Sequence, residues 1–221
     1  MSRLVIYCDF DGTITESDNI IAIMKKFAPP EWVTIKDQIL SQEISIQEGV
    51  SLLFQLIPST RKQEMIDFLL TQGVIREGFS DFVKWTKEQE IPFYVVSGGM
   101  DFFIDELLKP YGPFDGVYCN KAHFDEEYVQ ISWPHSCDEN CDSKECGCCK
   151  PSIMRDIGSK NDFSIVIGDS VTDLRAAREA DFVLARDYLK DVCEKENIPF
   201  SAFTTFHECR ALIEQKWGVK P

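Results

Sequence analysis

The sequence has 221 residues, 44% of them hydrophobic and 12% aromatic, which is enough to bury a dense core in one domain, with or without an insert. Its formal net charge of −14 argues against a nucleic acid or an anionic membrane as partner. Asp9 interrupts the first apolar run before it reaches the length found in signal peptides, and no uncharged run has transmembrane length, so we expect a cytoplasmic protein.

Strand-like and helix-like patterns alternate along most of the chain. Short apolar runs predict buried strands at residues 4–8, 93–96, 163–167, 182–185 and 201–206. Helical patterns occur between and after them, at residues 101–110, 171–180 and 207–217. This alternation predicts an α/β fold with a doubly wound, mainly parallel, Rossmann-like sheet.

A block of helical patterns directly follows the first strand. Residues 14–73 contain "NIIAIMKKF", "IQEGVSLLFQLI" and "RKQEMIDFLL", and no convincing strand. We interpret this block as an inserted helical cap, which leaves residues 1–13 and 74–221 as the core. Further along, residues 117–120 and 128–133 alternate loosely between apolar and polar and predict a β-hairpin.

Polar residues follow three of the predicted strands, at the position where open α/β sheets bind their ligands. The first strand runs into "DFDGT", the second into "SGG" and the third into "GDSVTD". The side chains of interest are those of Asp9 and Asp11, Ser97 beside Gly98, and Asp169 and Asp173. Carboxylates that converge on one point repel each other unless a divalent cation lies among them, and oxygen ligands of this kind suit Mg²⁺.

The other groups at these strand ends suit a phosphate. Ser97, the backbone N–H groups around Gly98, and Lys150 in "CCKPS" offer hydrogen-bond donors and positive charge. One aspartate can then act as nucleophile through an aspartyl-phosphate intermediate, while a second donates and accepts the proton. Each motif alone also occurs as a turn, a loop, a helix cap or a solvated lysine. Their conjunction predicts a Mg²⁺-dependent phosphatase that acts on small-molecule phosphate esters.

The same segments resemble a known family. "DFDGT", "VVSGG", "KP" and "GDSVTD" occur in the order of the motifs of the haloacid dehalogenase superfamily, and the resemblance covers nearly the whole chain. It implies that Asp9 is the nucleophile and that Asp11, which the dehalogenases themselves lack, is the general acid and base of a phosphatase. It also implies that Ser97 and Lys150 bind phosphate. The implied Mg²⁺ ligands are Asp9, the backbone carbonyl of Asp11, Asp169 and, directly or through water, Asp173.

The helical insert resembles the cap of the phosphoserine phosphatase-like branch of this superfamily. That branch uses a cap glutamate near the first motif for the substrate ammonium and a cap arginine for its carboxylate. Here Asp18 stands near the first motif, which makes it a candidate substrate contact, and residues 37–60 contain neither lysine nor arginine. We therefore expect weak binding of phosphorylated amino acids.

Three segments are more similar to the methionine-salvage phosphatases of the superfamily. They are "DFDGTIT" with "DNI", "FYVVSGGMDFFI" and "HSCDENCDSKECGCCKP". The implied substrate is an enol phosphate that ends in a methylthio group and has no carboxylate. The alternatives are a phosphatase of phosphoserine or another small phosphate monoester and, in a different class, a non-catalytic metal-binding or regulatory protein with this fold. The sequence does not indicate an oligomeric state.

Five of the nine cysteines lie within residues 137–149, with the spacing C-x3-C-x4-C-x-C-C. This spacing differs from the paired C-x2-C knuckles of common zinc modules. Three interpretations are open: a structural metal such as zinc, a disulfide or redox role, and reduced thiols. Lys150 follows directly, so rigidity in this segment would help to position it. The five residues are Cys137, Cys141, Cys146, Cys148 and Cys149.

Overall fold

The computed structural model describes residues 3–142 and 145–218. The strands of this part of the chain are β1 (Leu4–Cys8), β2 (Phe93–Met100), β3 (Gly116–His123), β4 (Gln130–Ser132), β5 (Phe163–Gly168), β6 (Phe182–Ala185) and β7 (Phe200–Ala202). They form a seven-stranded sheet in the order β4-β3-β2-β1-β5-β6-β7. Neighbouring strands are parallel except β3 and β4, which are antiparallel. The predicted α/β fold with a doubly wound, mainly parallel sheet is confirmed.

The helices lie between and after the strands. In chain order they are α1 (Asn19–Phe27), α2 (Trp32–Leu40), α3 (Ile46–Phe54), α4 (Lys62–Gln72), α5 (Phe79–Glu88), α6 (Asp101–Leu108), α7 (Lys150–Ile157), α8 (Leu174–Glu179), α9 (Asp187–Glu196) and α10 (Phe206–Trp217). Polar side chains cap several of their first turns; Ser45, for example, accepts from the backbone N–H of Glu48 at the start of α3. Among the described helices, none combines the length and apolar character needed to cross a membrane.

The helices α1 to α4 all lie between β1 and β2. The chain enters and leaves this block at the same place, because Thr15 and Ile75 form an antiparallel bridge. Beside it, the backbone N–H of Arg76 donates to the carbonyl of Ile14 at 2.8 Å. The start of α1 is thereby held close to the end of β1. The division into a cap of residues 14–73 and a core of residues 1–13 and 74–221 stays a prediction.

The central strand β1 is buried on both faces. Successive side chains of a strand point to opposite sides, and here Val5 and Tyr7 join one apolar cluster whereas Ile6 and Cys8 join another. The larger cluster is rich in aromatic rings from α5, β2, α6 and α10. Because β1 is packed from both sides, the residue that follows it has a well-defined position.

The structure corrects the predicted ends of two strands. The strand predicted at residues 201–206 is wrong beyond Ala202, because a capping box starts α10. Thr205 Oγ1 accepts from the backbone N–H of Glu208 at 3.3 Å, and the Glu208 carboxylate accepts from that of Thr205 at 3.4 Å. In addition, β2 continues beyond the predicted end at residue 96, so "SGG" lies within this strand, where its pairing with β3 shifts register between Val96 and Met100.

The predicted hairpin is present with a different pairing. The first half of β3 pairs in parallel with β2, and only its last three residues, 121–123, pair with β4 at residues 130–132. The strand expected at residues 117–120 is therefore longer and joins the main sheet. Just before β4, the backbone N–H of Val129 donates to the carbonyl of Ile57 at 3.1 Å, so the hairpin contacts the helical block.

Candidate active site

The register of three neighbouring strands brings the predicted site residues to one edge of the sheet. Cys8, the last residue of β1, pairs with Val95 of β2 and with Ile167 of β5. The carboxyl ends of β1 and β5 therefore lie side by side at the edge where ligands bind, and β2 passes them and continues to Met100. The residues that follow this row in the sequence by one or two positions are Asp9, Ser97 and Asp169; Asp9 and Asp169 lie just beyond their strands, and Ser97 lies within β2.

Lys150 connects two carboxylates at the centre of this edge. It is the first residue of α7, its side chain is 5% exposed, and its Nζ donates to Oδ1 of Asp9 and to Oδ1 of Asp173. Burial lowers the pKa of Lys150, but the charges of Asp173 and Asp9 outweigh burial and raise this pKa above its usual value. Lys150 is therefore a buried cation whose ammonium group orients the side chain of Asp9.

Three carboxylates face each other at this point. One oxygen from each of Asp9, Asp169 and Asp173 lies within 4.8 Å of the others. Thr13 Oγ1 donates to Asp169 at 2.8 Å, and the backbone N–H groups of Asp169 and Ser170 donate to Asp173 at 3.1 and 3.0 Å. Burial, followed by the charge of Asp173, raises the pKa of Asp169 to about 7. Hard oxygen atoms fixed at this spacing fit a Mg²⁺ ion.

Asp11 is held by a residue that the sequence analysis did not single out. Asn19, the first residue of α1, is 1% exposed, and its backbone N–H and Nδ2 donate to Asp11 Oδ1 at 3.0 and 2.6 Å. Burial and the nearby charge of Asp18 raise the pKa of Asp11 to about 7, although the Asn19 hydrogen bonds lower it. A carboxyl group with such a pKa can exchange a proton near neutral pH. The signals in the sequence were a polar residue at the start of an apolar helix and its place in the segment "DNI".

Asp18 has a structural role in addition to the predicted one. Its side chain accepts from the backbone N–H of Ile21 at 2.9 Å and so caps the N-terminus of α1. This cap supports the position of Asn19 one residue later. A contact between Asp18 and the substrate stays a prediction.

The segment from Ser97 to Gly99 borders open space. Ser97 Oγ accepts from the backbone N–H of Gly99 at 2.9 Å, and the carbonyl of Gly98 accepts from Asn120 Nδ2 at 2.9 Å. A Cβ atom added to Gly98 would have no heavy atom within 4 Å, whereas one added to Gly99 would lie 2.6 Å from Asp11 Oδ2. The backbone of this segment thus leaves room for a ligand beside Gly98 and touches Asp11 at Gly99. Asn120 is a second residue that sequence reasoning missed.

A buried arginine holds the loop that carries Asp11. The side chain of Arg76, a residue that is 6% exposed, donates to the carbonyl oxygens of Thr13 at 2.7 Å, Gly12 at 2.8 Å and Thr15 at 3.1 Å. Its guanidinium group is therefore used for backbone contacts in this loop. Arg61 lies elsewhere, stacked 4.8 Å above the ring of Phe27 and paired with Glu64.

Gly12 gives a test of this geometry. Its φ is +84°, and an added Cβ would lie 2.5 Å from Asp169 Oδ2. A left-handed conformation costs a non-glycine residue roughly 1–2 kcal/mol, so we expect Gly12→Ala to lower Tm by about 4 °C. Because Asp169 must move, the Mg²⁺ concentration needed for half-maximal activity should rise about tenfold.

The control for this substitution is Gly98→Ala, compared by thermal unfolding alone. The added methyl group meets open space there, so its Tm should stay within error of the parent protein. A Gly12→Ala protein with the parent's Tm and Mg²⁺ dependence would contradict the close packing of Gly12 on Asp169.

The cysteine-rich segment lies next to this site and divides into two groups. The sulfur atoms of Cys137, Cys141, Cys146 and Cys149 lie within 4.8 Å of one another. Cys148 is separate: its sulfur lies 3.9 Å from the carbonyl of Tyr118, and its side chain packs in the smaller apolar cluster beneath the sheet. The remaining cysteines are buried and are Cys8, Cys119, Cys193 and Cys209.

The chain is similar to known proteins along most of its length. The sequence profile of the haloacid dehalogenase-like hydrolase family matches residues 6–178. A protein of Geobacillus thermodenitrificans (strain NG80-2), named 2-hydroxy-3-keto-5-methylthiopentenyl-1-phosphate phosphatase, is 52% identical over 206 residues, 93% of each chain. The protein of the same name from Bacillus thuringiensis subsp. konkukian (strain 97-27) is 52% identical over 215 residues, which cover 97% of this chain and 98% of its own.

Solved structures share the fold at much lower identity. A phosphoserine phosphatase, described as a phospho-aspartyl intermediate analogue, has a TM-score of 0.68 at 15% identity and covers 96% of this chain and 99% of its own. A HAD family hydrolase from Salmonella enterica subsp. enterica serovar Typhi has a TM-score of 0.73 at 16% identity, over 97% of this chain and 72% of its own. At such identities the likeness establishes the fold alone.

Proposed function

The chain belongs to the haloacid dehalogenase-like hydrolase family, and we propose that it hydrolyses 2-hydroxy-3-keto-5-methylthiopentenyl-1-phosphate in methionine salvage. It is a phosphoric monoester hydrolase, as are the proteins named for this reaction that are 52% identical to it. The observation that supports the chemistry most directly is the buried cation of Lys150 on the carboxylate of Asp9, beside two further carboxylates. The roles of individual residues below are part of the proposal.

The first step is attack on phosphorus. A carboxylate oxygen of Asp9 forms a bond to the phosphorus atom, and the bond from phosphorus to the ester oxygen breaks. Asp11, oriented by Asn19, gives its proton to the departing oxygen, so the enol leaves neutral. Ser97, the backbone N–H of Gly98 and Lys150 donate to the phosphate oxygens and hold the phosphoryl group in line.

The second step returns the enzyme to its starting state. A water molecule attacks the phosphorus of the aspartyl phosphate, and Asp11 accepts the proton that this water loses. The bond between phosphorus and Asp9 breaks, and inorganic phosphate departs. Lys150 stays on the Asp9 carboxylate, and its positive charge stabilises this carboxylate as a leaving group.

The cluster of three carboxylates fits the implied cofactor, Mg²⁺. Asp9, Asp169 and Asp173, with the backbone carbonyl of Asp11, would hold Mg²⁺. A bound Mg²⁺ supplies positive charge that offsets the repulsion between the carboxylates and the phosphate oxygens. Thr13 donates to Asp169, and the backbone N–H groups of residues 169 and 170 donate to Asp173. These hydrogen bonds orient the two carboxylates. A zinc ion at the cysteines would not take part in making or breaking the bonds to phosphorus.

The arginine contacts support a substrate without a carboxylate. A phosphorylated amino acid needs a cation for its carboxylate, and the nearest arginines in the sequence are Arg61, within the helical block, and Arg76, just after it. Arg76 is bound to backbone carbonyls under the Asp11 loop, and Arg61 pairs with Glu64. Neither contact directs a guanidinium group toward a substrate carboxylate. The methylthio end of the enol phosphate needs apolar surroundings instead.

Substrate preference tests this proposal. We expect kcat/KM for the enol phosphate to exceed that for phosphoserine by at least about tenfold to a hundredfold, because one lost charge-assisted hydrogen bond costs roughly 1.5–3 kcal/mol. Both esters should be assayed by phosphate release at saturating Mg²⁺, with a neutral aryl phosphate as a reference for general phosphatase activity. Equal values for the two substrates, or a preference for phosphoserine, would contradict the methionine-salvage assignment.

The same assay separates the two classes of function. A non-catalytic regulatory protein with this fold would release no phosphate from the aryl ester, with or without Mg²⁺. The buried and hydrogen-bonded carboxylates of Asp9 and Asp11 favour the enzyme. We further propose that its partners are Mg²⁺ and a small phosphate ester, and that it works in the cytoplasm.

A further inference from the structure

The four grouped cysteines have the geometry of a metal site. Cys141 Sγ lies 3.6 Å from Cys146 Sγ, and all four sulfur atoms are mutual neighbours within 4.8 Å. A tetrahedral zinc ion with Zn–S distances of about 2.3 Å separates its sulfur ligands by roughly 3.8 Å. Disulfides would instead join the sulfurs in two pairs at about 2.0 Å. Four sulfur atoms that are all neighbours of one another therefore favour one shared metal ion.

The surroundings of the sulfurs suit thiolates bound to a metal. Arg175 Nη1 on α8 lies 3.4 Å from Cys141 Sγ and 3.6 Å from Cys146 Sγ, and Ser152 Oγ donates to Cys149 Sγ at 3.0 Å. Four thiolates around Zn²⁺ carry a net charge of −2, which donors of this kind stabilise. Thiolate ligands select zinc among the common divalent ions, since Mg²⁺ and Ca²⁺ prefer oxygen.

One of the four cysteines is the sequence neighbour of a residue in the candidate active site. Cys149 precedes Lys150, the first residue of α7, and its backbone N–H donates to the carbonyl of His135 at 3.1 Å. Lys150 Nζ contacts Asp9 and Asp173. A metal ion at the sulfurs would therefore fix the start of α7, and with it the direction in which the lysine side chain extends.

We propose that Cys137, Cys141, Cys146 and Cys149 bind one structural Zn²⁺ ion, and that this ion positions Lys150 against Asp9. On binding, the four thiols lose their protons to solvent and form four Zn–S bonds, with no change of oxidation state. Cys149 is a positioning residue, since it acts through Lys150. The positioning role rests on the proposed function, whereas the zinc site does not.

The metal content of the purified protein tests the site itself. Protein produced without a metal-binding tag should carry one zinc ion per chain, measured by inductively coupled plasma mass spectrometry. Replacement of zinc by Co²⁺ should give the charge-transfer and ligand-field absorption bands of a tetrahedral tetrathiolate site. Cys141→Ser should lose the zinc, and the matched control Cys148→Ala should keep it. Zinc-free parent protein that binds no Co²⁺, iron in place of zinc, or disulfides among the four cysteines would overturn the site.

Binding of inorganic phosphate tests the positioning role separately. In zinc-free Cys141→Ser that is still folded at the assay temperature, the inhibition constant for phosphate should rise about tenfold and kcat should fall by a similar factor. The control Cys148→Ala should keep both values. Loss of zinc with unchanged phosphate inhibition and unchanged kcat would leave the zinc site standing and overturn the coupling to Lys150. If Cys141→Ser does not fold, removal of zinc from the parent protein with a thiol-directed mercurial, followed by its reversal, gives the same comparison.

Discussion

Replacing Asp9 by asparagine is expected to reduce phosphate release by on the order of 10⁶-fold, the loss that follows removal of a catalytic nucleophile. The amide is a poor nucleophile, so no aspartyl phosphate forms. Asparagine has nearly the shape of aspartate and keeps an oxygen for the Lys150 ammonium group, so the fold should persist. Release of phosphate from the enol phosphate and from an aryl phosphate, both with Mg²⁺, measures this effect.

Asp81→Asn is the matched control for this substitution. Asp81 lies exposed on α5, so the same chemical change there should leave both the rate and the Tm at the parent values. Acid quenching of the parent enzyme during turnover should trap a phosphoryl group on Asp9 alone. Turnover above background in the Asp9→Asn protein, or a phosphoryl group trapped on another residue, would contradict Asp9 as the nucleophile.

Replacing Lys150 by methionine should have the largest effect on stability. The substitution keeps much of the side-chain volume but leaves Asp9 and Asp173, which are 5% and 1% exposed, without their shared cation. Removing one partner of a buried ion pair costs about 3–5 kcal/mol, which corresponds to a fall in Tm of roughly 10 °C for a chain of this size. Activity should also be lost, because Lys150 contacts the proposed nucleophile.

A second substitution separates the charge effect from lost packing. Lys150→Met combined with Asp173→Asn removes one of the two unpaired charges, so it should recover part of the lost stability without restoring activity. Lys190→Met, on the exposed face of α9, controls for the exchange of lysine for methionine. A Lys150→Met protein as stable as the Lys190→Met protein would show that Lys150 does not hold these carboxylates together.

The fold follows from local patterns because strands and helices differ in the period of their apolar residues. The bounds predicted for β1 and β6 agree with the structure, since these strands are short apolar runs buried on both faces. The predicted end of the last strand was wrong because a polar interaction sets the backbone conformation there. Phe203 and Phe206 extend the apolar pattern of β7, yet the capping box of Thr205 and Glu208 starts a helix at Phe206.

The position of the proposed catalytic groups also follows from the sequence, through one general rule. Ligands bind beyond the carboxyl ends of parallel strands. Asp9 and Asp169 directly follow β1 and β5, and Ser97 lies beside them in the last part of β2. What a motif cannot specify is the direction of each side chain. Lys150 was expected to bind phosphate, and the structure adds its contacts with Asp9 and Asp173, the first of which spans 141 residues of sequence.

The sequence by itself determined the fold class, the ordered motifs of a phosphatase and the residue types that carry its chemistry, because these depend on short-range patterns and strand order. Only the tertiary structure decided which partners hold those residues. It shows that Asn19 donates to Asp11 and that Arg76 binds the backbone of the loop that carries Asp11. It also shows which four of the five neighbouring cysteines come together. These contacts join residues from different elements, and their geometry depends on how helices pack against the sheet. No periodicity within one segment encodes such packing.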